Sequence, residues 1–163
     1  MENEEKIRAH VVSIWRESKK FLSIGGREGM LVLTDKHISF IHKTTAKIKW
    51  WKAITQRQAL TFLKSKDTMI IHDGYSMEDL IVDQKNPKNT VISFNDILSL
   101  KYEEKEWGSI LVIEYLNDEK KEKYQYSIAQ DWVKYPVKEP TKFMKVDWIP
   151  FVQFINERRM VTE

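Results

Sequence analysis

The sequence predicts an α+β protein that is mainly β. It would be an antiparallel barrel or sandwich with an N-terminal helix, a partly helical insertion and a C-terminal capping helix. Three observations carry this. Short β-branched and aromatic runs recur over 29–41 and 90–128. Turn signals, among them Asp73-Gly74, Asn95-Asp96 and Asn117-Asp118, separate such runs. Near the end, Trp148, Phe151, Val152 and Ile155 fall at i, i+3, i+4 and i+7, the apolar stripe of a docked helix. A chain of 163 residues suits one domain, and 42% hydrophobic with 31% charged residues argues against wholesale disorder. Cysteine is absent, which excludes disulfides, thiolate metal sites and cysteine nucleophiles.

In chain order, residues 4–20 read as a helix, because Ile7, Val11, Ile14, Trp15 and Ser18 recur at helical spacing. Gly25-Gly26 ends this unit, so residues 1–26 are expected to be a helix and linker, and 27–163 the main domain. Residues 27–35 and 37–42 form a hairpin about Asp35-Lys36, with Ile38 and Phe40 on one face and Ser39 and Ile41 on the other. An insertion follows at about 44–88. Within it, Lys47 to Trp50 alternates like a strand. Residues 51–66 lack Gly and Pro and favour a helix, in which Leu60 and Leu63 do not share a face with Ile54. Residues 68–72 read as a short strand. Ser76 and Asp79 form a capping box that starts a short helix, and Asn86 to Asn89 form a turn. Strands are expected at 90–94, 97–104, 110–116 and 123–128. Residues 131–145, with Pro136 and Pro140, read as an irregular connection, and Asp147 caps the final helix.

The net charge of +3 hides a polarised chain. From Lys36 to Lys66 there are eight basic residues and no Asp or Glu, so this stretch carries +8 and leaves −5 elsewhere. Lys43, Lys47, Lys49, Trp50, Trp51, Lys52, Arg57 and Lys64 are therefore the candidate partner-binding residues. Cations interleaved with indole rings attract phosphates of lipid head groups or of nucleic acid. The same tryptophans also suit core packing where a helix meets a sheet, and the same charges suit a plain solvated surface.

No catalytic constellation appears. His10, His37, His42 and His72 lack metal-ligand spacing, and His37 and His42 point to opposite faces of a strand. There is no nucleophile elbow and no phosphate-cradling glycine loop. Asp73, Asp79, Asp83 and Asp96 are scattered carboxylates; Asp83-Gln84-Lys85 alone hints at a nuclease, without the strand context it needs.

Three local patterns resemble the pleckstrin-homology-like superfold, in its GRAM-type and bacterial PH-like members. Gly29 to Ile41 looks like that family's opening hairpin, "G-x-L-x-L-T-x-x-R-I-x-F-I", with His37 where Arg is usual. Val91 to Ile97 looks like its "I-x-x-x-D-I" strand and turn, and Ile110 to Ile128 like its last long hairpin. The resemblance covers roughly residues 27–160, outside the insertion. It implies the fold and not the ligand, because this superfold hosts lipid, peptide and protein binders. The opening turn also lacks the basic arrangement of its phosphoinositide binders.

The expectation is a non-enzymatic, cytoplasmic binding or adaptor module without cofactors, since the N-terminus is acidic and no apolar run approaches a membrane span. Its partner would be an anionic membrane surface or an acidic protein segment. The alternatives are a nucleic-acid-binding protein using the same stretch, or an oligomer in which Val11, Ile14 and Trp15 of the N-terminal helix pair with a second copy.

Overall fold

Residues Ile7–Ser18 form a strand, β1, and not the expected helix. Six consecutive residues, Ala9 to Ile14, are buried, whereas a surface helix buries only a stripe. The misleading spacing has a local cause. A β-bulge between Val11 and Ile14 adds a residue, and Ser13 takes a left-handed φ of 59° there. The bulge puts Ala9, Val11 and Ile14 together in one core and leaves Val12 in another. A step of three inside a strand thus imitates helical periodicity.

The computed structural model describes residues 5–19, 26–46, 51–133, 136 and 138–161. After β1 come β2 (Gly26–Thr34), β3 (His37–Ile41), α1 (Trp51–Lys64), α2 (Met77–Gln84) and β4 (Thr90–Ser93). A 3-10 turn at Phe94–Asp96 leads to β5 (Ile97–Lys105), β6 (Gly108–Asn117), β7 (Lys120–Val133), β8 (Glu139–Phe143) and α3 (Ile149–Val161). The sheet is antiparallel in the order β4-β3-β2-β1-β7-β6-β5, with β8 added to β7, and its edge strands β4 and β5 do not pair with each other. The protein is therefore mainly β, as expected. The first strand lies mid-sheet, hydrogen-bonded to β2 on one side and β7 on the other.

The hairpin alternates as expected. Ile38 and Phe40 face one core, while Ile41 joins the other and the Ser39 hydroxyl accepts a hydrogen bond from Gln84. Thr34 Oγ1 closes the turn by accepting from the backbone N–H of His37 at 3.0 Å. The first core lies on one face of the sheet and includes Trp148, Phe151, Val152 and Ile155, the residues whose spacing predicted α3. Asp147 Oδ1 caps that helix by accepting from Ile149 N–H at 2.9 Å. Ile149, the first residue of this helix, is exposed. The second core lies on the outer face of β1 to β3, where Val12, Met30, Val32 and Ile41 meet Ile54, Tyr75 and Leu80 of the insertion. The insertion is thus a second layer on the sheet.

Two other expectations change. Residues 68–72 are extended without a ladder: the chain makes an isolated bridge at Asp67, and Ile70 C=O accepts from His10 N–H at 2.7 Å. Residues 131–145 are more regular than predicted, because β7 runs on to Val133 and β8 pairs with it. Pro140 is tolerated there since β8 is an edge with one neighbour. The capping box holds as read: Asp79 N–H donates to Ser76 Oγ, and Ser76 N–H donates to Asp79 Oδ2.

Asp83, read as one of several scattered carboxylates, is a buried anchor for the insertion. Its oxygens accept from Thr44 Oγ1 and Tyr75 OH at 2.6 Å and from Thr45 N–H at 3.1 Å. The Tyr75 hydroxyl is pushed up by burial and by the hydrogen bond to this carboxylate. Asp83→Ala leaves the buried Tyr75 hydroxyl and the half-buried Thr44 hydroxyl without their acceptor and is expected to cost about 3 kcal/mol. Urea unfolding checks this, and Asp83→Asn should recover part of the loss.

Candidate functional site

The candidate site is built on α1, whose inner face is set by sequence spacing. Ile54, Gln58 and Phe62, four residues apart, are all buried. The polar member of this stripe is satisfied. Gln58 Nε2 donates to Val12 C=O at 2.8 Å, and Gln58 Oε1 accepts from Val12 N–H at 2.9 Å. A side-chain amide thus stands in for a neighbouring strand next to the bulge, and it fixes the helix on β1. His72 Nε2 lies 2.8 Å from the same Oε1 and serves as its second donor.

Behind Gln58 lies a packed group of rings. The His10 ring is 5.0 Å from Tyr75 and 5.5 Å from His72, centroid to centroid. His10 Nε2 is 2.9 Å from Met30 Sδ, and its Nδ1 is buried with no partner among the described residues. Burial, aided by the His72 charge, holds the His10 imidazolium form down to a pKa of about 3. His72 is lowered too, by burial and then by the nearby Arg57 cation. Neither histidine sits in a metal-binding arrangement: no group of three or more His, Cys, Asp or Glu residues is placed to hold a cation among the described residues.

The outer face of α1 carries the predicted cations. Lys52, Arg57 and Lys64 are exposed. At 100° per residue, Arg57 and Lys64 share one flank, while Lys52 lies on the other. Leu60 and Leu63 fill the arc between them and are 60% and 66% exposed. They are turned away from Ile54, as their spacing predicted. Lys43 is exposed in the loop after β3, where its backbone is clamped by the Asn89 amide. Lys47, Lys49 and Trp50 lie outside the described residues, as does the side chain of Trp51.

Lys52 also reaches the wall of a cleft of about 620 Å³ between α1, the β1 bulge and the far end of β7. The cleft carries both charge signs. Lys138 Nζ pairs with Glu28 Oε1 at 2.6 Å and lies 5.2 Å over the Trp132 ring, and Asp131 lines the same wall. Ser13 is no nucleophile candidate in this arrangement. Its hydroxyl donates to Ala129 C=O at 2.7 Å and accepts from Trp132 Nε1 at 2.9 Å, which pins β7 to the bulge. Val11 and Ile14, on which the expected helix-mediated homodimer rested, are buried inside the chain's own sheet, and Trp15 stacks edge-on against Trp132. Gln58, His10 and the Ser13 bulge carried no motif. A polar residue at an apolar helix position, as Gln58 is between Ile54 and Phe62, was the one available signal. Comparison with protein-family models, with curated proteins and with solved structures returns no match.

Proposed function

We propose that the protein is a non-enzymatic PH-like binding module that docks on an anionic membrane surface through the outer face of α1. The observation that carries this is the exposed Leu60 and Leu63 pair, bracketed by Lys52, Arg57 and Lys64 in a stretch without a single acidic residue. Lys and Arg near an anionic surface contribute about 1 kcal/mol each, and two leucines entering the interface add apolar transfer energy that free phosphate groups cannot supply. The PH-like part draws support from the eight-stranded antiparallel sheet followed by a helix packed on its main core. The base-stacking reading rests on Trp50 and on the Trp51 side chain, which lie outside what the structure describes.

The test is co-sedimentation with vesicles of phosphatidylcholine alone and of phosphatidylcholine with phosphatidylserine, at low and at physiological salt. The expected result is binding to the anionic vesicles only, weakening as salt screens the charges. Triple replacement of Lys52, Arg57 and Lys64 by Glu should reduce binding by about a hundredfold or more, since about 1 kcal/mol per cation is lost and replaced by repulsion. Leu60→Ser with Leu63→Ser keeps the charge and should also weaken binding. No anionic-vesicle binding at low salt removes the proposal. Capture of an acidic peptide under the same conditions would transfer the surface to a protein partner.

A further inference from the structure

The sheet interior holds a buried cation that has no ion-paired carboxylate among the described residues. Arg16 lies on β1 two residues past Ile14, opposite Tyr126 of β7, and is only 8% exposed. Its guanidinium carbon lies over the Phe40 ring at 4.4 Å and over the Tyr124 ring at 4.3 Å. Gly29 makes room for this arrangement, because a Cβ there would come within 2.6 Å of the Phe40 ring. Nη1 donates to Thr90 Oγ1 at 2.9 Å, and no carboxylate among the described residues forms an ion pair with Arg16. Beside it, the Tyr126 hydroxyl is fully buried; the Arg16 guanidinium is near enough to donate to its oxygen, and it has no other partner among the described residues. Tyr115, stacked on Tyr124 at 6.4 Å, completes the aromatic wall.

Removing a cation from water is costly, and ring faces offset only part of that cost. With Phe40 and Tyr124 packed over its carbon and Nη1 bonded to Thr90, the donors that remain lie along the guanidinium edge. An edge with parallel N–H groups matches two oxygens of one planar or tetrahedral oxyanion, a geometry that a lysine ammonium would not select. The Tyr126 hydroxyl, buried in the same core, keeps its own O–H as a further donor when its oxygen accepts from Arg16. Burial pushes the Tyr126 and Tyr115 hydroxyls up, the latter to about 12, while the nearby Arg16 opposes the rise; both therefore stay protonated donors at neutral pH.

We propose that Arg16 and Tyr126 form an anion-binding site inside the sheet for the carboxylate or phosphate group of a small ligand. The site lies against the main core and does not involve the outer face of α1, so each can fail without the other.

The test uses the full chain, labelled with nitrogen-15, titrated at constant ionic strength with acetate, octanoate and inorganic phosphate in turn. The readout is the Arg16 Nε–Hε resonance, assigned by its loss in Arg16→Met. Saturable movement with the two carboxylates assigns an organic acid, and tighter binding of octanoate than acetate assigns an acyl chain. Movement with phosphate assigns a phosphoryl group. Tyr126→Phe removes one oxygen from a buried site, is expected to fold, and should weaken binding about tenfold. No saturable movement with any of the three anions overturns the site. So does unchanged affinity in Tyr126→Phe, which keeps the test decisive if Arg16→Met does not fold.

Discussion

As the pH falls below about 6.5, the protein is expected to lose roughly 1.4 kcal/mol of stability per pH unit through His10 alone. In the folded state this ring is neutral, because burial and then the His72 charge hold its pKa down to about 3. In the unfolded chain it titrates near its ordinary value of 6.5. Between those two values the unfolded state binds the extra proton, so acid favours unfolding. The stabilisation is complete above pH 6.5 and is lost progressively toward pH 3. His72, lowered by burial and by Arg57, adds a slope of the same sign. Glu5 and Asp35 act in the same direction only at lower pH. Burial is the largest single effect and raises each carboxyl, but it is outweighed at Glu5 by the hydrogen bonds from His37 and Thr34 together with the His37 and Lys36 charges, and at Asp35 by the Lys6 N–H and Arg8 together. Urea unfolding at a series of pH values from neutral to mildly acidic measures the slope before the carboxylates titrate. In His10→Phe, which keeps a ring against Tyr75, the slope should flatten and leave only the His72 part. An unaltered slope in that variant would show that His10 is not the group responsible.

Replacing Trp148 with Ala is expected to cost about 3–5 kcal/mol, as for other fully buried large-to-small changes. Trp148 is 1% exposed and stands at the start of α3, edge-on to Phe151 at 5.2 Å. Its indole N–H donates to Ser109 C=O at 3.4 Å, so removal orphans a buried carbonyl as well as leaving a cavity. The preceding segment depends on the same contact region. Ser109 N–H donates to Met144 C=O, and Val146 N–H donates to Ser109 Oγ at 2.9 Å. The melting temperature should fall by about 2–4 °C for each kcal/mol lost. Trp107 supplies the contrast: it is 46% exposed and touches Phe143 edge-on from outside, so Trp107→Ala should cost a small fraction as much. Equal losses at the two positions would contradict the account of the core given above.

Particular residues explain why some of the architecture was legible beforehand. Ile38, Ser39, Phe40 and Ile41 alternate between two cores, and a period of two is visible without a neighbour. Ser76 and Asp79 satisfy each other's backbone donors across three residues, so that helix start is a local event. The stripe of α3 is a repeat within thirteen residues. By contrast β1 was misread, because its bulge is stabilised by Ala129 and Trp132, more than a hundred residues away. β8 was missed for the same reason: Glu139–Phe143 has little strand character of its own and is ordered by pairing with β7.

The candidate sites divide along the same line. Composition and periodicity alone determined that the chain is mainly β, that α3 covers a core, that 36–66 is basic, and that Leu60 and Leu63 leave the face of Ile54. These are properties of neighbouring residues, and short-range sterics and hydrophobic spacing suffice to establish them. Only the tertiary structure decided that β1 lies mid-sheet, that Asp83 anchors the insertion, and that Arg16 meets Phe40, Tyr124 and Thr90 without a carboxylate. Each of those depends on which side chains distant strands bring into a space shielded from water, where an unpaired charge or an unfilled hydrogen bond first becomes costly.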